Sequence, residues 1–321
     1  MARSIKSTYD GELAPITQGA PLISYRVLAR LIAGTVSVLA FAGCTLSNAG
    51  KPDDSEPEIG PVPTLLASVD LRLPVQDYLP TEAQTAELAH ARLALIQQCM
   101  KRFGIDYVVE EIPSTGYGPR SLTDRRYGAT DAELVLRNGF GLGDRDPSLL
   151  PHPAKPDIGS DGESALFGKG PSIIRGIQIP SGGCVGEADS TLDRATPSGA
   201  DPQLGNKLQF QSFESSKQDS RVRAGFAAWS SCMAETGYHY PDPLAVAADP
   251  RFVGQQVTKD QIDAAEADIR CKAKTNLIGI WFTVESAYQK RTIERNAEAY
   301  ASCKEALVAR QRAAELMTSQ R

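Results

Sequence analysis

The chain has 321 residues, with 34 basic and 39 acidic side chains that give a net charge of −5. This acidic balance argues against a nucleic-acid-binding protein, which needs a basic surface to neutralise phosphates. Three histidines are too few for a multi-histidine metal site, and the six cysteines form no CxxC pair of the kind found in zinc or redox centres. With 41% hydrophobic and 23% charged residues, the composition is typical of a globular protein. We expect neither a metal nor a cofactor.

The N-terminal region has the features of an export signal. Residues 31–43 (LIAGTVSVLAFAG) form an uncharged apolar run that follows two arginines and ends in small residues. A basic region, a short apolar core and a small-residue end are typical of a secretory signal peptide. The run is also shorter than the roughly 20 residues that a membrane-spanning helix needs.

The run ends in Ala42-Gly43-Cys44, which resembles the lipobox of bacterial lipoproteins, with Phe41 where leucine is usual. The resemblance implies that residues 1–43 are a lipoprotein signal peptide and that Cys44 is acylated, which would anchor the protein at the outer face of the cytoplasmic membrane. A plain signal peptide or a buried core segment is the alternative. Residues 44–63 are rich in Pro, Ser, Gly and acid, and they predict a disordered tether because they bury too little apolar surface to order themselves.

Amphipathic helices are predicted on both sides of a long irregular region, so the expected fold is mainly α with long loops. The first helix runs from Glu82 to about Arg102, with Thr81 as its N-cap and Gly104 as its stop. Its apolar stripe recurs at three- and four-residue spacing and consists of Leu88, Ala91, Leu95, Cys99 and Phe103.

The middle of the chain contains few periodic stretches. Thr130 or Asp131 can cap one short helix. Residues 139–183 hold many glycines and prolines and predict a long irregular region. Within it a strand is expected over 173–179, and a short helix is expected to begin near Val185.

Helical pattern dominates the rest of the chain. Asp219 is the predicted N-cap of a helix that runs to Glu235 and that Gly237 terminates. The apolar stripe of this helix is Val222, Phe226, Trp229 and Met233. Thr258 caps a final long helical stretch, expected as one helix or as two helices with a kink near Gly279.

The two long predicted helices end in the same pattern. Residues 99–107 and 232–240 both read Cys-Met-x3-Gly-x2-Tyr. A match at four fixed residues indicates an internal duplication, with pseudo-repeats at about 64–195 and 203–321 in a single extracytoplasmic α-rich domain over 64–321. In each repeat a cysteine would tie the helix to a partner, and a glycine in the left-handed conformation would end it.

With the lipidated cysteine set aside, five cysteines remain, and an extracytoplasmic compartment favours disulfides. If each Cys-Met helix pairs with a later cysteine, the duplication predicts Cys99–Cys184 and Cys232–Cys271 and leaves Cys303 free. An alternative pairs Cys303 with Cys99 or Cys184, and a further one leaves the buried thiols reduced.

The second of these helix ends also carries a family resemblance. From Trp229 to Pro243 the chain reads Trp-x2-Cys-Met-x3-Gly-x2-Tyr-Pro-Asp-Pro, which resembles a segment of secreted, mostly uncharacterised lipoproteins of actinobacteria. Similar companion segments of this chain are Leu73-Pro74, Tyr78-Leu79, Arg126-Tyr127-Gly128, Gly183-Cys184-Val185-Gly186-Glu187-Ala188 and Ala267-Asp268-Ile269-Arg270-Cys271-Lys272. The resemblance covers most of the mature chain and implies a secreted, lipid-anchored protein, but it carries no assigned reaction.

No motif for catalysis or metal binding stands out. The chain has neither Gly-x-Ser-x-Gly nor His-Glu-x-x-His, and its glycine-rich stretch near 159–170 departs from both phosphate-binding and calcium-binding loops. The best candidate for a binding surface is the segment with Tyr238, Tyr240 and Asp242, whose aromatic rings and carboxylate could contact a sugar or a peptide. The structural alternative places Trp229 in the core and wraps this segment around the helix end.

The alternating charges of residues 285–315 predict a solvated helix face, with docking onto another envelope protein as the alternative. We therefore expect a lipid-anchored extracellular envelope protein that acts as a non-catalytic binding or interaction module. Its partners would be the membrane, through the lipid on Cys44, and another envelope protein or a cell-wall component, but not nucleic acid. The alternatives are an envelope hydrolase acting on cell-wall material, which paired carboxylates in a cleft would favour, and an accessory subunit of an exporter or sensor.

Overall fold

Helices make up most of the computed structural model, which describes residues 55–109, 116–151, 154–252, 254 and 256–319. The α-helices in these residues are α1 (Glu82–Arg102), α2 (Ala132–Asn138), α3 (Gly159–Phe167), α4 (Gly183–Asp193), α5 (Leu204–Gln218), α6 (Ser220–Glu235), α7 (Pro243–Ala247), α8 (Lys259–Thr275), α9 (Leu277–Arg295) and α10 (Ala297–Ser319). Strands β1 (Ile173–Ile174) and β2 (Ile177–Gln178) form an antiparallel hairpin, and a 3₁₀ turn covers Pro74–Tyr78. The expected mainly α fold is confirmed.

The predicted signal peptide and the acylation site at Cys44 lie outside the described residues. No helix in the described part of the chain is long and apolar enough to cross a membrane.

Four of the helices, α1, α2, α6 and α8, begin at the predicted capping residues. The Thr81 hydroxyl accepts a hydrogen bond from the backbone N–H of Gln84 at 3.2 Å, and the Gln84 side chain accepts one from the N–H of Thr81 at 2.9 Å. Asp131, Asp219 and Thr258 likewise accept backbone N–H groups at the starts of α2, α6 and α8. Each cap satisfies a donor that the first helical turn leaves unpaired, which explains why local sequence predicts these starts.

The region expected to be irregular holds more structure than its composition predicts. It contains α3, and the predicted strand over 173–179 is instead the β1–β2 hairpin. The chain reverses at Arg175 and Gly176, whose φ angles are +52° and +78°. Positive φ at both central positions produces the tight turn of a two-residue hairpin, so the prediction of one continuous strand is wrong.

The C-terminal helical stretch is broken at two asparagines and not at Gly279. Asn276 adopts a φ of +50° between α8 and α9, and Asn296, with φ −126° and ψ +36°, separates α9 from α10. Asparagine tolerates the left-handed conformation better than most residues with a side chain, which accounts for the first break. Gly279 instead allows a close approach, because a Cβ atom there would lie 2.0 Å from the carbonyl oxygen of Pro63. The kink expected at Gly279 is therefore misplaced.

The segment 55–63, which composition predicts as the end of a disordered tether, lies along the helices. The Asn276 side chain donates to the Pro63 carbonyl at 3.0 Å and accepts the N–H of Leu65 at 3.1 Å. The Glu56 carboxylate accepts hydrogen bonds from the backbone and the hydroxyl of Ser220, at 2.5 and 2.7 Å. A few specific polar contacts hold this segment, and mean composition does not reveal them.

Two helix pairs organise the core. α1 packs against α4, and α3 and the hairpin complete an apolar cluster that includes Met100 and Phe103. α6 packs against α8 in a second cluster that includes Trp229 and Met233. α9 contributes Trp281 to a third cluster, and α10 lies across α1 and α4. Burial of each large apolar side chain contributes about 1.5–3 kcal/mol, so these clusters fix the positions of the surfaces described next.

Candidate functional site

The cysteines pair as the duplication predicts. Cys99 is bonded to Cys184 and Cys232 to Cys271, with Cα–Cα distances of 5.5 and 5.6 Å. Cys303 is free and fully buried on α10, so the alternative pairings and the alternative of reduced thiols are wrong. Burial raises the pKa of the Cys303 thiol, which keeps it protonated and a poor nucleophile. The disulfides therefore tie α1 to α4 and α6 to α8.

The side chains predicted as a binding surface use their polar atoms within the fold. The Tyr238 hydroxyl donates to the Asp260 carboxylate at 3.0 Å, and burial together with this carboxylate raises the pKa of Tyr238 to about 12. The Tyr240 hydroxyl donates to Asp249 at 2.5 Å. Asp242 is the N-cap of α7 and accepts two backbone N–H groups at 2.9 and 3.0 Å.

Both tyrosine rings also pack against the Trp229 cluster, and Trp229 itself is fully buried. The structural alternative describes these contacts better than a binding surface does, because the segment wraps the end of α6. His239, between the two tyrosines, is exposed.

A buried ion pair lies beside the second disulfide. Lys272 donates from its ammonium group to Asp268 at 2.7 Å and to the carbonyl oxygen of Ala129 at 2.9 Å. The other carboxylate oxygen of Asp268 accepts the indole N–H of Trp229 at 3.0 Å. Burial raises the pKa of Asp268 and lowers that of Lys272, although each charge opposes the shift of the other. A Cβ atom at Gly128 would lie 2.6 Å from the Lys272 ammonium, so the glycine makes room for it.

A second buried charge centre surrounds Glu285 on α9. Both carboxylate oxygens lie 3.0 Å from the Arg126 Nε, and the Tyr127 hydroxyl donates to one of them at 2.9 Å. Ser212 and Gln289 each donate to the carboxylate at 3.2 Å. Burial and the neighbouring Glu285 carboxylate raise the pKa of Tyr127. Glu285 is fully buried, so its assignment to the solvated face of 285–315 is wrong.

These centres contain many of the segments on which the family resemblance rests. Arg126-Tyr127-Gly128 supplies the partners of Glu285 and the space for Lys272, and residues 267–272 supply Asp268, Lys272 and a bonded cysteine. Every carboxylate oxygen of the two pairs has a donor from the protein. These residues therefore hold helices together, and they do not form an accessible site.

A groove between α1 and α10 is an accessible concave surface that combines apolar and charged groups. It has a volume of about 320 Å³. Its apolar walls come from the end of the 3₁₀ turn, from α1 and from α10. They consist of the half-buried Leu79, Pro80, Leu88 and Leu307 and the exposed Val308. We call this surface the α1–α10 groove. The packing of α10 across α1 forms it, so neither helix contains the site alone.

The polar groups of the α1–α10 groove are unevenly paired. Asp77 forms an ion pair with Arg72. Lys304 and Arg312, both exposed on α10, have no carboxylate within ion-pair distance among the described residues. Gln311 is only 9% exposed; its amide nitrogen donates to Glu87, but its Oε1 has no hydrogen-bond partner in the described part of the chain.

A second cavity, of about 410 Å³, adjoins this groove and shares three of its residues, Lys304, Val308 and Arg312. Val308 is 44% exposed and lines both cavities, with one cation on each side of it along α10. The arrangement can therefore offer apolar contact and positive charge to one molecule.

Sequence reasoning missed this groove. A solvated helix face usually places an acid four residues from a base, whereas positions 304, 308 and 312 read Lys, Val and Arg. That cation–apolar–cation spacing was a usable signal. The sequence holds no corresponding signal for the wall formed by the turn and α1, because no local pattern shows that residues near 80 contact residues near 308.

Comparison with known proteins assigns no family. No family model, no curated protein and no solved structure matches this chain. The resemblance to actinobacterial lipoproteins thus stays a prediction, and the groove has to be interpreted from its own geometry.

Proposed function

We propose that this protein is a lipid-anchored extracytoplasmic envelope protein that binds a ligand non-catalytically in the α1–α10 groove. The observation that carries the proposal is the pair of cations, Lys304 and Arg312, on either side of an exposed valine at a concave surface. The chain has more acidic than basic groups, yet neither cation has a carboxylate partner among the described residues. Charge left uncompensated at a concave, partly apolar surface is suited to a ligand of opposite charge.

The extracytoplasmic part of the proposal rests on the cysteines. Disulfides persist in oxidising compartments and are rare in the cytosol, and this chain contains two of them, both internal to the helical core. Together with the lipobox-like segment before Cys44, they support export and anchoring.

The hydrolase alternative requires carboxylates that can reach a substrate. The most buried carboxylates, Asp268 and Glu285, are instead enclosed by Lys272 and Arg126 and by hydrogen-bond donors of the protein. Their contacts favour a role in stability, so we prefer binding over hydrolysis.

Crosslinking on intact cells tests the groove. A photoreactive amino acid in place of Val308 is expected to form an adduct with an envelope component. The matched control replaces Phe210, which is 68% exposed on α5 and away from the groove lining. Equal adducts from both positions, or none from Val308, would count against binding in the groove.

Metabolic labelling tests the anchor. A labelled fatty acid is expected to enter the wild-type protein and to be absent from a Cys44→Ser variant, which has no thiol to acylate. Equal labelling of the two proteins would refute the anchor without bearing on the groove.

A further inference from the structure

We infer that the α1–α10 groove binds an anionic amphiphile, that is, a molecule with an apolar chain and a carboxylate or phosphate head group. The inference rests on the proposed binding function and specifies the class of ligand. Two features of the groove carry it: an assembled apolar wall and two cations without ion-pair partners among the described residues.

The apolar wall selects a ligand with an apolar part. Leu79 and Pro80 line the groove from the end of the 3₁₀ turn, Leu88 lines it from α1, and Leu307 and Val308 line it from α10. The volume of about 320 Å³ is at the small end of the range for ligand pockets, which suits a single chain better than a bulky ring system. Because Val308 is 44% exposed, a chain laid along it would remove apolar surface from water.

The cations select an anionic head group. Lys304 and Arg312 are eight residues apart on α10, or about 12 Å along the helix axis, and both are long side chains that can bend towards a group lying over Val308. Two acids, Asp77 and Glu315, line this groove, and neither forms an ion pair with Lys304 or Arg312. Asp77 is paired with Arg72, and Glu305 lines the adjoining cavity and not this groove.

The Gln311 amide lies beside these two features. Its side chain lies against the groove and is more than nine-tenths buried, and its nitrogen already donates to Glu87. The Oε1 atom has no donor among the described residues. A buried acceptor without a partner destabilises a protein. Because Oε1 is itself closed to solvent, a ligand in the groove can donate to it only if the Gln311 side chain turns outward.

Isothermal titration calorimetry on the full chain tests the inference, with Cys44→Ser as background so that no attached acyl chain competes. The probes are decyl phosphate below its micellar concentration, inorganic phosphate, and decyltrimethylammonium. We expect decyl phosphate to bind at least tenfold more tightly than either of the others, because only it has both parts. Equal binding of inorganic phosphate would show an anion site without a chain site, and equal binding of the cation would show chain contact alone. Either result overturns the inference.

Variants connect the binding to the groove. Lys304→Gln/Arg312→Gln is expected to weaken decyl phosphate binding at least tenfold and to remove most of its dependence on salt. The matched control, Lys169→Gln/Lys290→Gln, removes the same charge from two exposed positions outside the groove and should leave the affinity unchanged.

A single change tests the same two features. Val308→Asp places a carboxylate four residues from each cation and removes part of the apolar wall, and we expect it to abolish binding. Unchanged affinity in Val308→Asp or in Lys304→Gln/Arg312→Gln would overturn the inference. If decyl phosphate fails to bind while a photoreactive group at position 308 still captures an envelope component, the ligand class is wrong and the binding function stands.

Discussion

The two helices that end in Cys-Met-x3-Gly, α1 and α6, are terminated by the same hydrogen bonds. In α1 the N–H groups of Gly104 and Ile105 donate back into the last helical turn at 3.0 and 3.2 Å, and in α6 those of Gly237 and Tyr238 do so at 3.1 Å each. Both glycines have positive φ, +70° and +90°. Each helix also carries a fully buried methionine and a disulfide to a later helix. The repeated sequence therefore produces a repeated local structure.

The surroundings of the two helix ends differ. Beside the first disulfide, Gly168 and Gly183 bring two backbones into contact, since a Cβ atom on either would lie 2.4 Å from the backbone nitrogen of the other. Beside the second disulfide, the buried pair of Asp268 and Lys272 joins α8 to Trp229 and to the loop at Ala129. The same helix end can thus be supported either by close backbone packing or by buried charge, and four experiments follow from that contrast.

Removal of the disulfides is expected to have the largest effect. The bonds close loops of 85 and 39 residues, so the chain-entropy model predicts losses of about 4.6 kcal/mol for Cys99→Ala/Cys184→Ala and about 3.9 kcal/mol for Cys232→Ala/Cys271→Ala. Urea unfolding of each double variant gives the free energies. A larger loss for the shorter loop would show that local packing, and not loop length, dominates.

Breaking the buried ion pair should cost about as much stability as removing the Cys232–Cys271 disulfide. Lys272→Met leaves Asp268 buried without its cation, which we expect to lower the free energy of unfolding by about 4 kcal/mol. Asp268→Asn/Lys272→Met should be less damaging, because no uncompensated charge is left. The matched control is Val185→Ala, at the position after Cys184 that corresponds to Lys272, with an expected cost of about 1 kcal/mol. If the double variant were as unstable as Lys272→Met, buried charge would not explain the loss.

Substitution of the glycines that end α1 and α6 should cost less stability, and the cost should differ between the two positions. An alanine at Gly237 meets no nearby atom and suffers only from its left-handed conformation, at a cost of about 1 kcal/mol. An alanine at Gly104 also places its Cβ 2.8 Å from the guanidinium of Arg175, which donates to the Phe103 carbonyl at 3.0 Å. We expect Gly104→Ala to cost about 2 kcal/mol in thermal or urea unfolding. Equal costs would show that Arg175 moves aside freely.

The smallest effect concerns pH. Burial alone would raise the pKa of Asp219, but hydrogen bonds from the side chain and backbone of Arg221 outweigh it and hold the pKa below its ordinary value. A carboxyl group with a lowered pKa contributes stability above its unfolded pKa of about 3.9 and loses it as the pH falls through the folded value. Asp219→Asn should therefore lose less stability than the wild type between pH 5 and pH 2.

The corresponding cap of α1, Thr81, does not titrate, so Thr81→Ser should leave the acid dependence as it is in the wild type. Chemical unfolding across this pH range measures both. If Asp219→Asn lost as much free energy of unfolding as the wild type between pH 5 and pH 2, other carboxyl groups would be responsible for the acid dependence.

Predictions from the sequence succeeded where the cause is local. The caps at Thr81, Asp131, Asp219 and Thr258 depend on one side chain and the next three residues. The predictions failed where the conformation of a short segment depends on its tertiary contacts. Residues 173–179 have the composition of a strand but turn back at Arg175, and the stretch after Thr258 breaks at asparagines whose left-handed conformation no periodicity indicates.

For the fold and the candidate site together, local features can likewise be predicted from the sequence, and long-range contacts cannot. By itself the sequence determined the mainly α fold, the capped starts of four helices, the glycine stops of α1 and α6 and, through the repeated Cys-Met-x3-Gly-x2-Tyr motif, both disulfides. Short spacings and one repeated motif encode these features. Only the tertiary structure decided that Glu285 is buried against Arg126, 159 residues away in the chain, and that Lys304 and Arg312 flank a groove completed by α1. Such placements depend on which helices pack together, and that is a property of the whole core.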